Sequence, residues 1–114
     1  MLEPSLRSHL RDGALAFELT VENRGKEAVE LSFPDAQRVR VSVYPADAGD
    51  DACPIWRSDA ERMFAQVVGT ETIPVGESET FRTAWKDPDS GEYRAVAEVT
   101  CQDRELAAEE TVLV

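Results

Sequence analysis

The sequence predicts an all-β fold in which antiparallel strands pack in layers as a β-sandwich. Three observations support this prediction. Short runs alternate apolar and polar residues, and turn residues interrupt these runs roughly every ten positions. In addition, Tyr93 follows the turn at residues 87–91, as in the tyrosine corner of Greek-key sandwiches. This spacing favours a layered sandwich over alternating strands and helices.

The clearest strand covers residues 91–101. Because successive side chains of a strand point to opposite faces, this run has one apolar face and one largely charged face. Another layer must cover the apolar face, as it would in the core of a sandwich. The residues of that face are Tyr93, Ala95, Ala97, Val99 and Cys101.

Four strands are predicted in the first half of the chain. Apolar residues alternate over residues 15–21, and the preceding Asp12-Gly13 pair is a hairpin signal that joins this strand to the leucine-spaced segment before it. The same alternation recurs over residues 29–33 and 39–43. Turn residues or prolines end these runs, so we expect separate strands with short connections.

The second half of the chain is less regular. A short strand at Ile55 and Trp56 is expected to lead into one helical turn over residues 59–64, with Ser58 or Asp59 as its N-cap. Three more strands are expected after it, and a Pro-x-Gly turn precedes the second of them. These strands cover residues 66–68, 81–85 and 106–114.

Length and charge restrict the class of protein. The 114 residues predict one domain, residues 1–114, and the net charge of −11 comes from 23 acidic and 12 basic residues. Such a chain repels nucleic acids and anionic membranes, so we expect neither as a partner. Residues 1–4 lack the features of a signal peptide, and no apolar run approaches the ~20 residues of a membrane span, which predicts a cytoplasmic protein.

The basic residues are uneven, because only Lys26 and Lys86 are lysines and ten are arginines. An acidic, lysine-poor surface is typical of proteins from salt-accumulating halophiles, where molar salt screens the repulsion between like charges. The alternative is an ordinary acidic protein from a GC-rich genome. We take the halophile interpretation as the hypothesis to test.

The two cysteines are Cys53, in a loop, and Cys101, on the apolar face of the strand at residues 91–101. Two cysteines in a cytosolic chain are usually both free thiols. A disulfide remains an alternative if the loop folds over the end of that strand.

No catalytic or metal-binding pattern stands out. A hydrolase triad needs a histidine, and His9 lies in a polar segment without such a pattern around it. The acidic residues at 47–51 and 87–89 lack the spacing of a calcium loop. Trp56 and Trp85 are in phase with other apolar residues, which predicts core packing. We therefore expect a binding protein, not an enzyme, with no metal or cofactor.

Four short motifs follow one another along the chain. They are Leu19-x-Val21-x-Asn23; Trp56-Arg57-Ser58-Asp59 leading to Met63-Phe64-Ala65-Gln66; Pro74-x-Gly76-Glu77-Ser78; and Gly91-x-Tyr93. In this order they resemble the intracellular proteinase inhibitor (BsuPI) family over about residues 14–114. The resemblance implies an immunoglobulin-like β-sandwich with Greek-key connections. It also implies a protein partner, since the founding member inhibits a cytoplasmic subtilisin-type serine protease.

Two functions are open at this point. In the first, the domain is a protease inhibitor that offers an exposed extended loop to the protease cleft. In the second, it is a general protein-interaction or accessory module without inhibition. If the domain is an inhibitor, we expect the contact to lie in the acidic loop at residues 46–54 and just after Trp56, where the strand pattern is interrupted. The alternative is that this loop is only a solvated acidic surface. The candidate contact residues are Asp47, Asp50, Asp51, Pro54, Arg57 and Ser58.

The excess of acidic residues predicts that salt stabilises the fold. At about 1 M salt the Debye length falls to ~3 Å, which screens most repulsion on the surface. We expect the melting temperature to rise between dilute buffer and molar sodium or potassium chloride. Replacing Glu18, Glu22 and Glu98 by lysine is expected to flatten this rise. An unchanged melting temperature over that range would refute the halophile hypothesis.

Overall fold

The computed structural model describes residues 1–49, 51–60 and 63–114. These residues form nine β-strands and no helix, so none of them belongs to a helix that could cross a membrane. The strands are β1 (Leu2–Arg11), β2 (Ala14–Asn23), β3 (Val29–Phe33), β4 (Val39–Pro45), β5 (Trp56–Arg57), β6 (Gly69–Ile73), β7 (Ser78–Lys86), β8 (Glu92–Val99) and β9 (Ala107–Leu113).

The strands form three antiparallel sheets with the orders β1-β2-β7, β3-β6 and β5-β4-β8-β9. The sheets pack face to face. The ring of Phe17 on β2 lies 6.1 Å from that of Trp56 on β5, and Phe33 on β3 lies 6.5 Å from Phe81 on β7. The predicted all-β sandwich is therefore confirmed, while the Greek-key connections stay a prediction.

The predicted hairpin between β1 and β2 is confirmed. Asp12 and Gly13 both have positive φ, of 52° and 78°, which is the geometry of a two-residue type I′ turn. Pairing then continues along the full length of both strands, from Arg11 opposite Ala14 to Leu2 opposite Asn23.

Alternation places the apolar faces of β2 and β8 inside one core. Leu15, Phe17, Leu19 and Val21 of β2 are all buried, as are the inward residues of β8. On β8, the small side chains at two central positions leave room for the larger ones around them. These positions are Ala95 and Ala97.

The tyrosine corner is confirmed at the start of β8. Tyr93 is buried, and its hydroxyl donates a hydrogen bond of 2.7 Å to the backbone carbonyl of Asp89 in the preceding turn. Its ring packs edge-on against Trp85 at 5.1 Å between centroids. Trp85 and Trp56 stack at 5.7 Å and pack against the core. Both are only half-buried, because they lie on the outer strands β7 and β5.

Two details of the second half differ from the prediction. Residues 66–68 form no strand, and the strand is β6, which pairs with β3 from Gly69 opposite Phe33. Glycine at residue 69 leaves room for the Arg38 guanidinium, which would lie 2.7 Å from a Cβ at this position. The helical turn predicted over residues 59–64 includes positions 61 and 62, outside the described residues. Its described positions are not helical.

Both cysteines are free thiols, as predicted. Cys53 is exposed, whereas Cys101 is buried and its thiol donates a hydrogen bond of 3.4 Å to the carbonyl oxygen of Arg104. Burial raises the pKa of the Cys101 thiol. Its reactive thiolate form is therefore suppressed.

Glu18, Glu22 and Glu98, the positions of the lysine replacements, are each only partly exposed. Each one pairs with an arginine, so a lysine in its place would remove an attraction as well as an acidic charge. Asp47, Asp51 and Glu105 are better positions, because they are exposed and have no ion pair with another described residue. The existing pairs are Glu18–Arg82 at 3.0 Å, Glu22–Arg24 at 2.8 Å and Glu98–Arg40 at 2.9 Å.

Candidate functional site

The acidic loop joins β4 to β5. Its first residue is fixed by a hydrogen bond of 3.1 Å from the Ala46 amide to the Glu92 carbonyl. Beyond it, Asp47 and Asp51 are exposed and Pro54 is half-buried, while Asp50 lies outside the described residues. The described part of the loop is a solvated acidic surface, and its contact with a partner stays a prediction.

Ser58 has a structural role, which corrects its assignment as a contact residue. It is 7% exposed, and its hydroxyl oxygen accepts a hydrogen bond of 2.8 Å from the Val41 amide. The Ser58 amide in turn donates to the Val41 carbonyl at 2.9 Å. Both polar groups of this residue are occupied by β4, so its side chain is not available to a partner.

Arg57 is exposed and pairs with Asp59, whose side chain is 11% exposed. The carboxylate of Asp59 accepts hydrogen bonds from Arg40 at 2.8 Å and from Arg57 at 2.9 and 3.0 Å. Arg40 also donates to Glu98 of β8 at 2.9 Å. These four side chains form a charged network across β4, β5 and β8.

The network shifts the pKa of Asp59. Burial alone would raise this pKa, but hydrogen bonds from Arg40, Arg57 and Gln37 outweigh burial and lower it from its ordinary 3.8 to about 2. Asp59 is therefore ionised at any pH above about 3. Together with Ser58, it holds the chain against β4 directly after β5.

Residues 63–68 form an exposed apolar segment, which we call the apolar segment. Its residues belong to no helix or strand and carry no charged side chain. Met63 is 99% exposed, Val67 64% and Val68 69%, whereas Phe64 is half-buried. The described chain has eight large exposed apolar side chains, and three of them lie within these six positions. Scattered exposed apolar residues are normal, whereas a contiguous apolar patch marks a binding surface. The closeness of these three along the chain makes the segment a candidate contact.

The apolar segment is held on the side of β6. The Ala36 amide, in the loop between β3 and β4, donates a hydrogen bond of 3.0 Å to the carbonyl of Ala65. β6 begins immediately after Val68. There Arg38 pairs with Glu71 at 3.2 Å and lies over the Phe33 ring at 4.3 Å. The segment is thus held by one backbone hydrogen bond at Ala65 and by the pairing of β6 from Gly69, which restricts the backbone near Val67 and Val68.

The apolar segment and the acidic loop lie at opposite ends of β4. The acidic loop follows Pro45, at the end of this strand, whereas the apolar segment contacts the loop that precedes Val39. At about 3.4 Å per residue, the seven residues of β4 separate the two regions by roughly 20 Å. Each region therefore presents a separate surface.

The sequence pointed to the chain after Trp56 as a contact region, and a contact through the exposed Arg57 stays a prediction. Arg57 and Ser58 are both engaged with the protein itself. Exposed apolar residues come later, where a helical turn and a strand were predicted. A signal was present, since Met63, Val67 and Val68 are apolar residues without the alternation of a strand.

No group of three or more histidine, cysteine, aspartate or glutamate side chains among residues 1–49, 51–60 and 63–114 could hold a metal ion. The apolar segment instead offers an uncharged, apolar surface on an otherwise acidic chain. Such a surface can bind another protein by burying its apolar side chains.

Replacing Asp59 by asparagine tests the network. A carboxylate whose pKa is lower in the folded state stabilises the fold above its unfolded pKa, and this stabilisation is lost as the pH falls from about 4 to 2. We expect D59N to lower the free energy of unfolding at pH 7 by about 1–2 kcal/mol, since Arg40 and Arg57 are partly solvated.

Urea denaturation at several pH values measures this effect. The difference between D59N and the parent protein should shrink towards zero as the pH approaches 2. The matched control is E109Q, because Glu109 forms an exposed pair with Arg94 at 3.4 Å and should contribute little. A difference for D59N that does not change between pH 7 and pH 2 would show that the charge of Asp59 is unimportant.

Comparison with solved structures finds partial similarity to much larger enzymes. The β-glucosidase from Kluyveromyces marxianus in complex with glucose is 18% identical, with a TM-score of 0.50, and the match covers 98% of this chain and 14% of that one. For the β-glucosidase from Listeria innocua in complex with glucose the identity is 16%, the TM-score 0.44 and the coverage 100% and 16%. The chain thus spans only a small part of these enzymes, and at 18% identity the likeness to the Kluyveromyces enzyme concerns the fold alone.

Sequence comparison gives more information about the family. None of the curated proteins matches the chain significantly. The model of the BsuPI family, described as "Intracellular proteinase inhibitor", matches residues 2–111. This match extends the resemblance to β1, which the four sequence motifs did not include. The chain therefore belongs to the BsuPI family of intracellular proteinase inhibitors.

Proposed function

We propose that this protein inhibits a cytoplasmic serine protease of the subtilisin type, and that the apolar segment binds in the protease cleft. Membership of the proteinase inhibitor family supports a protease as the partner. The subtilisin type rests on the resemblance to the founding member of the family. The position of the contact rests on one observation, the exposure of Met63, Val67 and Val68 on a supported backbone.

The backbone of the apolar segment suits a protease cleft. Residues 66–68 belong to no sheet of the protein, and an extended segment can bind by adding backbone hydrogen bonds to the edge of a partner's sheet. Anchors at Ser58, Asp59 and Ala65 restrict the conformations of the free protein. Binding then loses less conformational entropy than it would for a flexible loop.

The same anchors favour inhibition over cleavage. Proteolysis of a folded protein usually requires local unfolding, and the free energy of that opening protects the chain. Opening this segment would disrupt the bond between Ala36 and Ala65 as well as the start of β6. The segment can thus occupy a cleft while it resists the rearrangement that cleavage needs.

The side chains of the segment suit apolar subsites. Met63 has a long, unbranched and flexible side chain that adapts to the shape of a pocket. Val67 and Val68 add β-branched side chains nearby. Because residues 63–68 carry no charge, binding does not require desolvation of a charged group within the segment itself.

An inhibition assay with a purified subtilisin-type protease tests the proposal. We expect the parent protein to inhibit cleavage of a peptide substrate, and M63D and V67D each to raise the inhibition constant tenfold or more, because an aspartate would be buried in an apolar subsite. The matched control is V75D. Val75 is also apolar and is 50% exposed, but it lies in the turn between β6 and β7, so V75D should inhibit like the parent protein.

A fourth variant separates the two surfaces. Replacing residues 47–52 by a short glycine-containing turn should leave the fold nearly unchanged, because loop length enters the closure entropy only logarithmically. Loss of inhibition in this variant alone would assign the contact to the acidic loop. If the parent protein inhibits no protease of this type, the accessory-module function is the better interpretation. Melting temperatures of all variants identify any that fail to fold.

A further inference from the structure

We propose that Met63 is an oxidation site, and that converting its thioether to a sulfoxide weakens binding of the protease. This inference rests on the proposed function, because the effect requires the apolar segment to be the contact. Oxidation of Met63 would then regulate how tightly the protease binds at that contact. The oxidant is a peroxide, such as hydrogen peroxide.

Accessibility favours this site. Met63 is 99% exposed, more than any other large apolar side chain of the described residues, and its sulfur can therefore meet a dissolved oxidant directly. The chain has only one other methionine, Met1, which is 80% exposed. Met1 is not part of the apolar segment, so oxidation there leaves the proposed contact intact.

The reaction is a two-electron transfer of one oxygen atom. The thioether sulfur attacks one oxygen of hydrogen peroxide, the O–O bond breaks and an S–O bond forms. The sulfur is oxidised to a sulfoxide, while the remaining oxygen and the two protons of the peroxide leave as water. Methionine sulfoxide reductases reverse the change, so the modification can act as a switch.

The consequence differs between the free and the bound protein. In the free protein the side chain of Met63 is surrounded by water, so a sulfoxide should hardly change the stability of the fold. In the complex, the same side chain would have to lose the water around a polar S–O group in an apolar subsite, which is unfavourable without a hydrogen-bonding partner. Oxidation should therefore weaken the complex and leave the melting temperature of the free protein unchanged.

The test also has to exclude oxidation of a second exposed sulfur, that of Cys53. Cys53 is exposed in the acidic loop and can form a sulfenic acid or an intermolecular disulfide with peroxide. Cys101 is buried and its thiol pKa is raised, so it reacts more slowly. The experiment therefore uses C53S as its background, and compares C53S with C53S/M63L.

The test measures the inhibition constant of each variant before and after hydrogen peroxide treatment, against a purified subtilisin-type protease. Mass spectrometry of peptides confirms the sulfoxide at residue 63, and removal of the peroxide before the assay protects the protease. We expect the inhibition constant of C53S to rise tenfold or more on oxidation, equivalent to about 1.4 kcal/mol of binding free energy. Each variant is its own reference, and the ratio for C53S/M63L should stay close to one. Treatment with methionine sulfoxide reductase should restore the original value.

The outcomes separate the two proposals. If reduced C53S inhibits the protease and its inhibition constant is unchanged with the sulfoxide fully formed, the oxidation site is refuted and the proposed function stands. An equal rise in C53S and C53S/M63L would refute Met63 as the site and indicate another oxidised residue. If reduced C53S inhibits no subtilisin-type protease, the proposed function fails, and the role of Met63 fails with it.

Discussion

The geometry of the candidate site depends on the attachment of residues 58 and 59 to β4. Asp59 is a nearly buried carboxylate, and it is tolerated there because Arg40 and Arg57 both donate hydrogen bonds to it. Removing one partner of such a group usually costs much more than the pair contributes, since a buried charge is then left alone. Ser58 adds two hydrogen bonds to the backbone of Val41. These contacts fix the point at which the chain leaves the β5-β4-β8-β9 sheet.

Apolar side chains are buried in the core but exposed in the apolar segment. Phe17 and Leu19 on β2 are 1% exposed, whereas Met63 is almost fully exposed. Burying Met63 would be favourable by itself, and its exposure close to Val67 and Val68 fits a surface that a partner covers. Natural sequences violate the pattern of their fold mainly at functional sites. We interpret the segment as apolar surface kept for a partner, with the Ala65 hydrogen bond helping to keep it from folding onto the core.

Local patterns allowed much of the fold to be predicted from the sequence. The Asp12-Gly13 turn, the alternation in β2 and β8 and the bond from Tyr93 to its turn each depend on residues close together in the chain. The candidate site depends on distant residues. Serine is usually a surface residue, so burial of Ser58 was not expected. Its hydrogen-bonding partner, Val41, lies 17 positions away in the chain. The valines before β6 have high β-propensity, but the pairing with β3 starts only after them.

Hydrogen exchange of the backbone amides, measured with and without a bound subtilisin-type protease, tests most directly whether the apolar segment is the contact. If it is, the amides of residues 63–68 should exchange more slowly in the complex, while those of the acidic loop at residues 46–54 keep the rates of the free protein. Protection of the acidic loop, with unchanged exchange over residues 63–68, would contradict a contact through the apolar segment.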